Sequence, residues 1–310
     1  MSDDDEEVEL LRGMGRSIIL ERLVETRLGP PARGQKRMVD LAPELVAVCE
    51  ILGQAYLATG SWGVDGFDAD EDGPVGPPPR LMELSVAGVS EYLREIDRRN
   101  RAGRFDIPRL SVAAGDETLL VLLGEIPFVS GGIANAQFVM PERDPAGGYA
   151  ALMGALAHAF GAFNGRIHQE DLFNRYVTRR VAERLREVDK TLSPEHRQWS
   201  SSLPTDFSDG VDLDLLHPDD LDRRLVPTGV WWTNYWNADQ LRTLGEDRVR
   251  DAGWAAVRQA PNGALVLTAT QEPLDLRQKA HLQQLEHLVR AIGLRAAQER
   301  CRRRHPYGRT

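Results

Sequence analysis

Two hairpin patterns constrain the fold more than any other feature of this sequence. In RLSVAAGDETLLVLLGEI, residues 109–126, two apolar runs meet at Gly115-Asp116, which predicts two antiparallel strands joined by a turn. In GWAAVRQAPNGALVLTAT, residues 253–270, the turn is Asn262-Gly263, and both of its residues tolerate positive φ. Strict alternation of strands and helices is absent. We therefore predict an α+β fold: a single large domain with a largely antiparallel sheet flanked by helices.

Helical patterns surround these strands. Apolar residues at three- and four-residue spacing, together with cap and stop residues, predict the helices. NAQFVMP and GVWWTNYW are read as two further strands. The predicted helices begin at Pro43 (Leu45, Val48, Cys49 and Leu52 inward), after Ser85 (Val89, Tyr92, Leu93 and Ile96 inward), at Asp144-Pro145 (ending near Gly161), and after the Asn237 and Gln240 capping box (ending at Gly245). Two more cover about 170–188 and about 275–300.

Charge is concentrated at the two ends of the chain. Six acidic residues crowd the first ten positions and five arginines the last eleven. Residues 1–38 are read as an acidic extension with a helix or two and a Pro/Gly/basic linker, 39–299 as the α+β domain, and 300–310 as a basic tail. The tails are either solvated or engaged with each other or with a partner.

Composition narrows the function classes. The net charge is −9, which disfavours direct binding to nucleic acid because neutralising phosphates requires a basic face. No apolar run reaches the ~20 residues of a membrane span, and MSDDDEEVEL lacks the apolar part of a signal peptide. Two distant cysteines fit a reducing compartment. We expect a cytoplasmic protein with no membrane partner.

Motifs for catalysis or cofactors are missing from the sequence. There is no P-loop, GxGxxG, GxSxG or HExxH pattern. His281 and His287 are six residues apart, about 240° around a helix, so they do not share a ligand face. We predict no catalytic residue, no metal and no cofactor. One alternative is a hydrolase that uses the neighbouring residues His168, Glu170 and Asp171.

Two acidic stretches and one tryptophan-rich stretch are the candidate partner-binding residues. Acidic loops that face a basic partner speed association, although solvated loops have the same composition. GVWWTNYW predicts a strand with Val230, Trp232, Asn234 and Trp236 on one face and Trp231, Thr233 and Tyr235 on the other; the first face is either core or contact surface. The candidates are Asp65, Asp68, Asp70, Asp212, Asp219, Asp220, Trp232, Asn234 and Trp236.

Several segments in order resemble one protein family. The segments are GSWGVDGF, RLSVAAGDETLLVLLGEI, GGIANAQFVMP, FNGRIHQED and GVWWTNYW with a following LG, within residues 40–270. Together they resemble the immunity protein 52 family of bacterial polymorphic and type VI toxin systems, and more loosely the related type VI immunity group. The first 38 residues and the basic end lie outside the resemblance.

The resemblance implies a non-enzymatic immunity protein. Such a protein binds a cognate bacterial toxin, such as a nuclease effector, and masks its active site. The main alternative is a phage-defence or regulatory protein-binding module on the same scaffold. The sequence leaves the oligomeric state open, with a homodimer among the choices.

Overall fold

The computed structural model describes residues 16–24, 36–58, 61–64, 80–81, 83–101, 108–115, 117–128, 131–141, 143–169, 223–274 and 278–301. Within these residues the chain has an α+β fold, in which ten strands form one antiparallel sheet of order β3-β2-β4-β5-β6-β1-β7-β8-β10-β9. The predicted fold class is confirmed.

The strands and helices are bounded as follows. The strands are β1 Arg16–Val24, β2 Gly63–Val64, β3 Arg80–Leu81, β4 Arg109–Ala114, β5 Glu117–Phe128, β6 Gly131–Val139, β7 Asn164–Gln169, β8 Thr233–Trp236, β9 Ala256–Gln259 and β10 Leu265–Thr268. The helices are α1 Ala42–Ala55, α2 Val86–Arg101, α3 Tyr149–Phe160, α4 Ala238–Leu244, α5 Glu246–Arg250, α6 Lys279–Ala291 and α7 Leu294–Cys301. Short 3-10 turns cover Met38–Asp40 and Pro261–Gly263.

The β1 strand corrects the predicted domain boundary. Residues 16–24 were expected to be helical and to precede the domain, but β1 lies in the middle of the sheet, paired with β6 and β7. The run Ile18, Ile19 and Leu20 is buried on both faces of the sheet. A strand that is covered on both sides shows no polar alternation, so its sequence is easily mistaken for a helix. The domain therefore includes β1, and a boundary at residue 38 is wrong.

One face of the sheet, the first face, packs against α1, α2 and α3. Ile18, Leu20 and Phe138 from the strands share one hydrophobic core with residues of these helices. The predicted inward residues of the first two helices are all buried. Ser85 Oγ accepts a hydrogen bond from Gly88 N at 3.1 Å, as expected of a cap.

The opposite face, the second face, packs against α4 to α7 beside β8 and β10. Leu265 and Leu267 of β10 belong to this second core, whereas Val266 between them belongs to the first. The predicted capping box is confirmed: Asn237 Oδ1 accepts from Gln240 N at 2.8 Å, and Gln240 Oε1 accepts from Asn237 N at 3.0 Å. It fixes the start of α4, whose leucines enter the second core.

Two helix boundaries differ from prediction because of glycines. The helix predicted from Asp144-Pro145 begins only at Tyr149, since Gly147 and Gly148 have φ of 81° and 82°. The single helix predicted over 275–300 is two helices, α6 and α7, separated at Gly293, where φ is 68°. Right-handed helix does not accommodate these angles. The helix predicted over 170–188 lies outside the described residues.

Gly165 on β7 lies in close contact with its neighbours, and it gives a first prediction. A Cβ there would lie 2.7 Å from Leu20 Cδ2 and 3.2 Å from Tyr235 Cβ. Gly165→Ala should therefore destabilise the protein by about 1–3 kcal/mol through overpacking. The measurement is the free energy of unfolding in urea.

Gly53 supplies the matched control for this substitution. It lies within α1, and an added Cβ meets nothing within 4 Å. Gly53→Ala should stabilise the protein by about 0.5–1 kcal/mol, the usual gain from replacing glycine inside a helix. Equal effects of the two alanines would contradict the close packing at β7.

Candidate functional site

A buried group of charged and polar side chains lies on the second face, where β1 meets β7. It consists of Glu21 on β1, Asn164 and Arg166 on β7, and Arg223, the first residue described after β7. We call this group the Glu21 cluster. Glu21 and Asn164 are directly opposite each other across the strands. Arg166 is two residues further along β7 and so lies on the same face. All four residues are buried.

The Glu21 carboxylate holds the cluster together. Its Oε1 accepts hydrogen bonds from Arg223 Nη1 at 2.8 Å and from Arg166 Nη1 at 3.3 Å, and its Oε2 accepts one from Asn164 Nδ2 at 3.0 Å. Glu21 is 0% exposed. Both oxygens of this carboxylate are therefore engaged inside the protein.

The electrostatics of the cluster keep Glu21 ionised. Burial by itself raises the pKa of Glu21, but the charges of Arg223 and Arg166 and the Asn164 hydrogen bond together hold the pKa below its ordinary value of 4.5. The pKa of Arg166 is lowered overall, because burial and the charge of Arg223 lower it by more than Glu21 raises it. A general acid or base needs a pKa near the working pH. Glu21 is therefore suited to holding the two arginines rather than to transferring protons at neutral pH.

Trp231 and Asn234 complete the surroundings of Arg166. The guanidinium carbon of Arg166 lies 5.3 Å from the centre of the Trp231 ring, within cation–π range. The Asn234 side chain accepts from Trp231 N and donates to Trp231 O, both at 2.8 Å. Asn234 also lies opposite Arg166 in the register of β7 and β8. The amide thus fixes the turn that carries Trp231 against the arginine.

The three clustered tryptophans occupy three different environments. Trp231 packs on Arg166, whereas Trp232 makes an edge-to-face contact with Tyr149 at 5.3 Å in the first core. Trp236 makes an edge-to-face contact with Trp254 at 5.5 Å in the second core. The predicted alternation placed Trp232 and Trp236 on one face. It fails because β8 begins at Thr233, so Trp232 precedes the strand.

The predicted partner-binding residues fall into two groups. Trp232, Asn234 and Trp236 are 8%, 0% and 1% exposed, so they serve the interior and present almost no surface in this chain. Asp65, Asp68, Asp70, Asp212, Asp219 and Asp220 lie outside the described residues. The acidic-surface hypothesis therefore stays a prediction.

The hydrolase alternative is equally untested. The backbone of His168 lies in β7 opposite Ser17, but its side chain is not described, and Glu170 and Asp171 lie outside the described residues. Cys49 is buried in the first core, and burial raises the pKa of its thiol, which makes it a poor nucleophile. Within the described ranges no three His, Cys, Asp or Glu side chains are grouped to hold a metal ion.

Sequence reasoning missed Glu21, Arg166 and Arg223 as a site. Arg166 is 145 positions from Glu21 and Arg223 is 202 positions from it, so no local sequence pattern links the three. One signal was present: Glu21, with Arg22 beside it, interrupts the otherwise apolar run IILERLV. A charge in a buried strand requires partners on neighbouring strands, so correct assignment of β1 would have pointed to this cluster.

Comparison with known families gives one match over part of the chain. The model of a domain of unknown function (DUF5953) matches residues 202–294, a range that includes Arg223, the tryptophan stretch and most of the second core. No curated protein matches the chain. In the part of the chain that the structure describes, no helix is long and apolar enough to cross a membrane.

Proposed function

We propose that this chain is a non-enzymatic immunity protein of the bacterial cytoplasm, which binds a cognate toxin, such as a nuclease effector, and covers its active site. The observation that carries the proposal is the position of the two acidic stretches relative to the strands. The acidic stretch 65–72 connects β2 to β3, and the stretch 209–220 falls between β7 and β8. Connections between strands are where binding residues concentrate.

Charge complementarity supports this proposal. The chain has a net charge of −9, whereas a nuclease cleft that holds a phosphate backbone is basic. Opposite fields speed the encounter of two proteins and suppress wrong partners. The buried carboxylate of Glu21 supports the non-enzymatic part of the proposal. It is engaged by Arg223, Arg166 and Asn164 and is not kept available for a reaction.

Neutralising the second acidic stretch should slow association with the toxin. With Asp212→Asn, Asp219→Asn and Asp220→Asn combined, we expect the association rate to fall about 10-fold at low salt and its salt dependence to flatten. The measurement is stopped-flow or surface binding of the toxin that co-purifies with the chain. An unchanged rate and salt dependence would remove the steering role from this stretch.

A matched triple variant separates local charge from total charge. Asp239, Glu246 and Asp247 are exposed residues of α4 and α5. Asp239→Asn, Glu246→Gln and Asp247→Asn remove the same three charges from another surface. We expect at most a twofold change in association rate for this variant. A loss equal to that of the first triple would attribute the effect to net charge alone.

A further inference from the structure

One edge of the Arg166 guanidinium is unused. A guanidinium carries five N–H donors, and within the described part of the chain Arg166 makes one hydrogen bond, from Nη1 to Glu21 Oε1. Its Nε is buried without a partner. The residue as a whole is only 6% exposed, so little of the guanidinium reaches solvent. A buried charged donor left open inside a bonded cluster requires an explanation.

The carboxylate at the centre of the cluster is committed to other donors. Glu21 Oε1 already accepts from two arginines and Oε2 from Asn164. Turning the carboxylate toward Nε would break these bonds. The Asn234 side-chain oxygen is likewise committed to Trp231 N at 2.8 Å. Neither the Glu21 carboxylate nor the Asn234 oxygen can therefore turn to the open edge without losing a bond that it already makes.

The open edge has the geometry of an oxyanion receptor. Nε and Nη2 lie on the same side of the planar guanidinium, and their two N–H bonds run parallel, which suits two oxygens bonded to one atom. Glu21 fixes the Nη1 end, and the centre of the Trp231 ring lies 5.3 Å from the guanidinium carbon. Because the side chain is already held in place, a ligand would lose little affinity to ordering it.

We propose that the Nε and Nη2 edge of Arg166 is a binding site for an oxyanion with two oxygens on one atom, a carboxylate or a phosphate group. The proposal does not rest on the proposed toxin-binding function. Arg166 lies on β7, which pairs with β1 on one side and with β8 on the other, so a ligand bound to it would lie where strands far apart in sequence meet.

The test is nitrogen-15 NMR of the full chain, following the Arg166 Nε–H and Trp231 indole N–H signals. Sodium acetate and sodium phosphate are titrated separately, with sodium chloride at matched ionic strength. Trp231→Phe identifies the indole signal, and contacts to that ring identify Arg166. We expect saturable shifts with acetate, phosphate or both, and the responding anion defines the ligand class. Shifts no larger than those with chloride, or shifts that never saturate, overturn the proposal.

Arg166→Lys tests the fork geometry. Lysine keeps the charge but lacks the paired donors, so the responding anion should bind at least 10-fold more weakly, read from the indole signal. Arg290→Lys, an exposed arginine on α6, should leave the affinity within twofold. Undiminished binding in Arg166→Lys overturns the proposal. If Arg166→Lys does not fold, the wild-type titration decides alone, because its shifts are read directly at Arg166.

Discussion

Glu21→Gln is expected to destabilise the protein by about 3–5 kcal/mol, the usual result of removing one partner from a buried ion pair. Glutamine has nearly the same shape, so packing is retained. What is lost is the negative charge between Arg166 and Arg223, both of them buried. The measurement is urea denaturation followed by tryptophan fluorescence at neutral pH.

The same substitution should change how stability depends on pH. The folded-state pKa of Glu21 lies below the 4.5 of the unfolded chain. Its contribution is therefore fully present above 4.5 and is lost as pH falls through the folded-state pKa. Glu21→Gln lacks this component, so the difference in stability between wild type and variant should shrink as the pH is lowered below 4.5.

An exposed pair provides the control. Asp239 and Arg242 form an ion pair at 2.6 Å on α4, with side chains 56% and 75% exposed. Asp239→Asn should cost no more than about 0.5 kcal/mol, as is usual for surface pairs. If Glu21→Gln costs as little as Asp239→Asn, then the buried cluster does not hold β1 to the rest of the sheet.

Trp236→Ala is expected to destabilise the protein by about 3–5 kcal/mol. Trp236 is 1% exposed and belongs to the second core, where its ring meets that of Trp254 edge-to-face. Removing it leaves a cavity between β8 and the helices that cover the second face. The readout is the urea midpoint together with hydrogen exchange of the β8 and β10 amides, which should lose protection first.

Trp232→Phe is the conservative comparison at the neighbouring site. It keeps an aromatic ring against Tyr149 but removes the hydrogen bond from Nε1 to Thr270 O, which is 3.1 Å long. A cost of about 1–2 kcal/mol is expected from the lost bond and the smaller ring.

A loss below about 1 kcal/mol in Trp236→Ala would show that the second core does not depend on Trp236.

Elements with strong local signals were predicted correctly from the sequence. The α1 stripe, the Ser85 cap, the Asn237 and Gln240 box and the two hairpins each depend on neighbours within a few residues. Cap geometry and turn chemistry act at that range, so pattern reading suffices for them. The antiparallel α+β fold then follows from joining hairpins to helices.

Features determined by distant packing were not predictable in this way. β1 is a strand because β6 and β7 pair with it and both of its faces are covered, none of which is visible in IILERLV alone. The tryptophan alternation failed because the point where β8 begins is set by its pairing with β7 and β10. The Glu21 cluster depends on the pairing of β1, because Glu21 meets Asn164 and Arg166 only through the β1–β7 register.

The most direct test of the proposed function is capture and neutralisation of a toxin. The tagged chain is purified from its native host, bound proteins are identified by mass spectrometry, and the captured partner is expressed with and without the chain. We predict a stoichiometric basic partner that stops growth alone and is harmless when the chain is co-expressed. A chain that purifies alone, or a partner whose expression is harmless without it, would contradict the immunity function.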